Sequence, residues 1–138
     1  MPEFSNTSKE KLKSCHSDFQ ILFNEVIKHR DCTVICGHRG EEEQNRAYRL
    51  GNSKKKFPNS KHNTEPSLAV DVAPYESGID WGKLQSAEFS GYVQAVADLL
   101  FDQGIMKHKI RRGADWDGDY DIDDTDFWDA CHFEIKAN

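Results

Sequence analysis

Leu68-Ala-Val-Asp-Val72, stopped by Pro74, is the stretch on which the fold of this chain turns. It is short, rich in β-branched residues and bounded by Pro66-Ser67 and Pro74, so it reads as a strand with Asp71 inside it. Working outward, Cys32-Thr-Val-Ile-Cys36 is a second strand, stopped by Gly37, and His132-Phe-Glu-Ile-Lys136 is a last one. Lys109 to Arg111 is a weaker strand candidate. Between these lie helical patterns. Thr7 and Glu10 form a capping-box signal, and Leu12, Cys15, Phe19, Leu22, Phe23 and Val26 recur at helical spacing, which predicts one helix from Ser8 to His29. Glu41 to Leu50 is a second, with three glutamates at its positive N-terminal end and Gly51 after it. A third runs from Ala87 to Gln103, with Phe89, Val93, Val96, Leu99 and Leu100 facing inward. Asn52 to Pro66 is a polar loop carrying the basic run Lys54-Lys55-Lys56. Helices and strands mix without a βαβ rhythm. The class is therefore α+β, with a mostly antiparallel sheet and helices packed on it.

At 138 residues one domain, 1–138, is expected. Hydrophobic residues at 37% and charged residues at 30% describe a polar globular chain, and 11% aromatics is too rich for a solvated tail. No apolar run approaches the roughly 20 residues of a membrane span, and Met1–Lys13 lacks the apolar core of a secretory signal. The net charge of −6 is local in origin. Eight aspartates and no lysine or arginine lie between Asp115 and Asp129, leaving 18 basic against 16 acidic side chains elsewhere. No basic stripe of the kind that binds nucleic acid is present. Cys15, Cys32, Cys36 and Cys131 form no C-x-x-C unit. They read as buried reduced thiols, with Cys32 and Cys36 on one side of their strand.

The chemistry-bearing residues are His62, just before the central strand, Asp71 within it, and His132, which opens the last strand. Two imidazoles and a carboxylate are the ligand set of a catalytic zinc with its fourth position left for water. Asp129, three residues before His132, is a further carboxylate able to take a proton from that water. Taken singly, each such residue is more often a satisfied core or surface side chain than a functional one. Glu134 also flanks His132 and shares its face along a strand, so it competes with Asp129 for the role of base. Arg39, after the strand and Gly37, is either an anion-binding group or half of a salt bridge with Glu41, Glu42 or Glu43.

Ser60-Lys-His62 with Ala69-Val-Asp71 resembles the Ser-x-His…Ala-x-Asp signature of the D-alanyl-D-alanine carboxypeptidase-like zinc peptidases. That group includes phage endolysins and shares its fold with the hedgehog signalling domain. Trp128-Asp-Ala-Cys-His-Phe-Glu134 is similar to its second signature, and Gly37-His-Arg39 with Glu43, Gln44 and Tyr48 to its Gly-x-Arg…Gln…Tyr stretch. The pieces stand in family order over 19–136. The resemblance implies zinc on His62, Asp71 and His132, Asp129 as general base, Arg39 stabilising the oxyanion, and Ser60 and Gln44 as supporting polar, substrate-binding positions. It also implies a zinc-dependent peptidoglycan peptidase of the phage endolysin type, cutting the L-alanyl-D-glutamate bond of the stem peptide. The alternatives are a D-alanyl-D-alanine carboxypeptidase or dipeptidase, and a zinc-containing binding domain without chemistry, against which the retained Asp129 and Arg39 argue. The expected partner is the bacterial stem peptide, met by a monomer with no nucleic acid and no membrane insertion. The expected place is the host cytoplasm before holin-type release, or the virion. Two features depart from the family pattern. Eight residues, Asn63 to Val70, separate the first two ligands and include no glycine, and Cys131 stands where a proline often precedes the last ligand. Cys131 reads as core, on the face opposite His132.

The segment from Asp115 to Asp126 carries alternating aspartates at 115, 117, 119 and 121, like the first ligands of a calcium loop. The match is partial, with Tyr120 at the sixth position and Asp126 at the twelfth. Calcium on Asp115, Asp117, Asp119, Asp121 and Asp126 is one expectation; a solvated acidic loop is the other.

Overall fold

The computed structural model describes residues 2–79, 81–123 and 128–136. The chain runs α1 (Asn6–Lys13), α2 (Ser17–Val26), β1 (Cys32–Cys36), α3 (Glu41–Arg49), a single 3-10 turn (Lys61–Asn63), β2 (Ala69–Pro74), α4 (Lys83–Asp102), β3 (Ile110–Gly113) and β4 (Asp129–Ile135). The four strands form one sheet in the order β1-β2-β4-β3, and every neighbouring pair is antiparallel. The α+β class and the antiparallel sheet read from the sequence are those of the molecule.

Strand alternation sorts the sheet into two faces. Val70 and Val72 of β2 and Phe133 and Ile135 of β4 enter the apolar core with Phe19, Phe23, Phe89 and Val93 from the helices. The intervening Asp71, His132 and Glu134 take the other face. Asp71 lies directly opposite His132 in the β2–β4 register. Residues so paired have Cβ atoms about 5 Å apart, so the pairing alone brings these two side chains together.

Three predicted elements differ in detail. The helix expected from Ser8 to His29 is two helices. His16 N donates to Ser67 O and Ser67 N to Ser14 O, both at 2.9 Å. These bonds tie the approach to β2 onto the chain between α1 and α2, and they occupy backbone groups that a continuous helix needs for itself. Each piece has its own cap: the Ser5 hydroxyl, rather than Thr7, accepts from Ser8 N at 3.1 Å, and His16 Nδ1 accepts from Asp18 N at 3.0 Å. The last helix begins at Lys83, four residues earlier than the apolar spacing indicates, because its first turn is polar apart from the exposed Leu84. Leu99, expected inward on this helix, is exposed; Phe89, Val93 and Ala97 form its buried stripe, with Val96 and Leu100 beside it.

The cysteines also divide differently. Cys15 and Cys32 are buried in the core, but Cys36 and Cys131 are half-buried and line the cleft on the open side of the sheet. The cause in β1 is a bulge: Val34 pairs with Val72, whereas Cys36 pairs with Asp71, so one extra residue is inserted and Cys36 turns from the core face. In β4 the register slips between Arg112 opposite Phe133 and Gly113 opposite Asp129, and Cys131 lies in the displaced stretch. That close approach requires glycine, since a Cβ on residue 113 would stand 2.0 Å from the Asp129 carbonyl oxygen.

Candidate active site

His62 is held from its backbone upward. Ser60 caps the 3-10 turn, its hydroxyl accepting from His62 N at 3.2 Å, while Asn63 Oδ1 accepts from Ser60 N at 3.0 Å. The ring donates from Nδ1 to the Gly37 carbonyl at 2.8 Å. Gly37 is obligatory here because a Cβ would meet Lys11 O at 2.3 Å and Ser14 Oγ at 2.4 Å. With Nδ1 engaged, Nε2 is the nitrogen left for a metal, or for a proton in the bare protein. It is buried, 3.3 Å from Asp71 Oδ1, and has no hydrogen-bond partner.

His132 approaches the same oxygen from β4. Its Nδ1 stands 3.2 Å from Asp71 Oδ1, and its Nε2 donates to Glu134 Oε1 at 2.9 Å. Each imidazole thus aims one nitrogen at Asp71 and fixes the other on an acceptor, the arrangement by which outer partners set the tautomer of a metal-ligating histidine. Donors about 2.05 Å from a tetrahedral zinc stand roughly 3.3 Å apart, and each imidazole lies at that separation from Asp71 Oδ1. Two imidazoles and a carboxylate are, by their chemistry, a donor set that suits zinc. In the bare protein the same proximity binds protons. Burial pulls the pKa of both rings down, but hydrogen bonds and the charge of Asp71 outweigh it. His62 is held at about 10 and His132 at about 9. Burial raises Asp71, and the two imidazoles overcome this and hold it well below the usual carboxylate range.

Asp129 starts β4 with its carboxylate in reach of Asp71 and His132. Burial and the Asp71 charge raise its proton affinity, against the opposing pull of His132, His62 and Arg39. Glu134 is in the opposite condition. Burial would raise it, yet His132, Arg111 at 2.7 Å and Lys61 at 3.1 Å keep it firmly ionised. Of the two carboxylates flanking His132, Glu134 is clamped by cations and Asp129 is not.

Arg39 makes no salt bridge with Glu41, Glu42 or Glu43. Its guanidinium turns to the cluster, donating to Asp71 Oδ2 at 3.3 Å, Cys36 Sγ at 3.5 Å and Gln44 Oε1 at 3.2 Å. Gln44 is fully buried. Besides Arg39 its Oε1 accepts from Asn63 Nδ2 at 3.1 Å, and its Nε2 donates to Ser53 Oγ at 2.9 Å and Lys55 O at 2.7 Å. Gln44 therefore braces Arg39 and pins the lysine loop beside the cleft, while Ser60 acts on His62 through its backbone. Cys36, read as core, is a site residue, and only the β1 bulge puts it there. Its sulfur lies 3.9 Å from His62 Nδ1, the nitrogen turned away from Asp71. Burial pushes the Cys131 thiol up to about 12, so it stands in the cleft as a neutral thiol.

Of the acidic-loop residues, Asp115, Asp117 and Asp119 converge, with carboxylate oxygens within 4.8 Å of one another. Asp115 is buried: Oδ2 accepts from Tyr120 N at 2.8 Å, and Oδ1 has no hydrogen-bond partner. Contact with Asp115 raises the proton affinity of Asp117. Asp121 is exposed; its N–H donates to Asp119 Oδ1 at 2.8 Å, while its carboxylate accepts from Asp123 N at 3.1 Å and is not among the converging three. Asp126 lies outside the described residues.

A family model described as phage L-alanyl-D-glutamate peptidase matches residues 2–136. Among solved structures the chain is similar to the L-Ala D-Glu endopeptidase ChiX of Serratia marcescens. The TM-score is 0.71 at 20% identity, over 97% of this chain and 90% of that one. No curated protein matches the chain.

Proposed function

The chain belongs to the phage L-alanyl-D-glutamate peptidase family, and from that premise we propose that it hydrolyses the L-alanyl-D-glutamate bond of peptidoglycan stem peptides with a zinc ion held by His62, Asp71 and His132. The observation that carries the zinc reading is the buried Nε2 of His62, without a hydrogen-bond partner and aimed at the oxygen that His132 also faces. When bound there, zinc lowers the pKa of water toward about 7 and polarises the scissile carbonyl.

The protein's own groups do the remaining work. Asp129, its proton affinity raised by burial and by Asp71, accepts the proton of the attacking water. It then returns that proton to the departing D-glutamate nitrogen. Arg39 holds a permanent positive charge beside the cluster, where the carbonyl oxygen becomes anionic. Arg39 cannot act as the base, because a guanidinium stays protonated. Gln44 keeps that guanidinium in place, and Glu134 keeps the His132 ring oriented.

The acidic loop supports a second, calcium, site on Asp115, Asp117 and Asp119, resting on the buried unpartnered oxygen of Asp115. No helix among the described residues is long and apolar enough to cross a membrane. The reading places a monomeric enzyme at the bacterial wall, reached from the host cytoplasm at lysis or carried with the virion.

Two measurements test this. Digestion of purified peptidoglycan followed by mass analysis is expected to expose new N-terminal D-glutamate; release of D-alanine alone would assign the carboxypeptidase activity instead. Metal analysis is expected to find one zinc per chain, lost in His62→Ala and in His132→Ala together with some stability, since metal binding is coupled to folding. Full zinc occupancy in both variants would overturn the ligand assignment.

A further inference from the structure

Two unequal basins meet at the proposed metal-ligand cluster and share Arg39, Asn52, Asp71 and Asp129. The narrower, about 90 Å³, is bordered by Lys54, Lys55 and Lys61. The broader, about 670 Å³, extends from Asp71 and Asp129 to Trp81 and Trp128 and to Leu50 after α3. The three tryptophans around the cluster are not equivalent. Trp116 packs between the rings and charges of the site, 5.4 Å from the His132 ring and with Arg111 5.4 Å from its own. Trp128 carries the Lys83 ammonium 5.0 Å from its ring. Trp81 is 62% exposed at the basin's rim, and Leu50 is 64% exposed at the same basin.

The substrate is just as asymmetric about its scissile bond. The alanine nitrogen is acylated by the lactyl group of the wall's amino sugar, so one residue separates the reacting carbonyl from that group. At about 3.5 Å per residue the sugar ring must lie within roughly 10 Å of the reaction. On the other side of the bond begins D-glutamate, with a free carboxylate and further charged residues beyond it. A pyranose presents a C–H face that an exposed indole can cover, and carboxylates are best met by cations.

On the reading that this site cuts the L-alanyl-D-glutamate bond, we propose that the stem lies across it in one direction: the amino sugar enters the broad basin and stacks on Trp81, and the D-glutamate end runs along the lysine-bordered side. Trp81 is then a specificity residue that makes the enzyme prefer sugar-linked stems to free peptide.

The test compares kcat/KM of the zinc-loaded protein on two soluble substrates. One is a disaccharide-tetrapeptide; the other is the same peptide with its alanine N-acetylated and no sugar. The wild type is expected to prefer the first by about tenfold, the worth of one well-covered aromatic face. Trp81→Ala is expected to bring that ratio close to one by raising KM on the sugar-linked substrate, and Trp81→Phe to restore most of it. Lys55→Ala is expected to lower kcat/KM on both substrates in the same proportion and leave the ratio as it was. A wild-type ratio near one, or a ratio that survives Trp81→Ala, overturns the proposal. Cleavage of neither substrate at the L-alanyl-D-glutamate bond, with D-alanine released instead, overturns the activity itself and the proposal with it.

Discussion

Asp71 on the sheet and Asp115 in the acidic loop are both largely buried carboxylates, and their surroundings are opposite. Asp71 is answered by two imidazoles and a guanidinium, at 3.3, 3.2 and 3.3 Å. Those partners come from the 3-10 turn, from β4 and from the loop after β1; register sets His132 opposite Asp71, and the other two reach it from loops that folding brings together. Asp115 draws its company from its own stretch of chain. Its nearest carboxylates are Asp117 and Asp119, and Arg112 stands 3.8 Å away. A carboxylate neutralised by partners from distant segments is what the proposed chemical centre is built on. A carboxylate crowded by carboxylates of its own stretch of chain is one whose repulsion an added cation would relieve.

The largest effect expected from this contrast is at Asp129. Asp129→Asn keeps the side-chain shape and leaves the proposed metal ligands in place but removes the proposed base, so turnover should fall by about 10²–10⁴ with zinc still bound. Glu134→Gln should cost less, because Glu134 orients His132 and is already clamped by cations. Steady-state rates with metal analysis on both variants check this. A normal Asp129→Asn beside a dead, zinc-bound Glu134→Gln would exchange the two roles.

Arg39→Lys comes next, with an expected loss of about 10² in kcat. Lysine keeps the charge but loses the planar fork that reaches Asp71, Cys36 and Gln44 at once. Near wild-type turnover would reduce Arg39 to a structural partner of Asp71.

A third expectation concerns pH in metal-free protein. His62 and His132 have pKa values raised in the fold, to about 10 and about 9, above roughly 6.5 for an unfolded histidine. Their contribution to stability is fully present below about pH 6.5 and is lost as pH rises through the folded values. Melting temperatures of chelated protein should therefore fall from pH 6.5 toward pH 10. In zinc-loaded protein the metal would take the place of a proton on each imidazole, the protons being released to solvent, so this decline should be absent. A chelated melting curve that is flat across this range would show that the two rings do not share Asp71.

The smallest effect belongs to the loop. Millimolar calcium should raise the melting temperature by a few degrees, as expected of a weakly held ligand, and Asp115→Asn should abolish that response. An unchanged melting temperature in the wild type, against chelated controls, would return the loop to solvated surface.

Much of this was legible along the chain. Strands at Cys32–Cys36 and in the Leu68–Val72 stretch, the helix after Gly40 and the α+β class follow from local periodicity, because apolar alternation and helical spacing are properties of a few consecutive residues. The residue types of the site were also readable, since spaced histidines and aspartates carry their chemistry with them. Other features could not be read locally. The break between α1 and α2 depends on Ser67, far along the chain, which takes the backbone bonds around Cys15. The place of Cys36 depends on a bulge that the sequence of β1 does not announce, since inserting one residue in a ladder is decided by the partner strand. Gln44 looked like a substrate contact and is a fully buried brace. Composition and spacing determined which groups this protein possesses. Register, close backbone approach at Gly37 and Gly113, and burial decided which of them face Asp71, because those depend on pairings between segments that the chain brings together only when it folds.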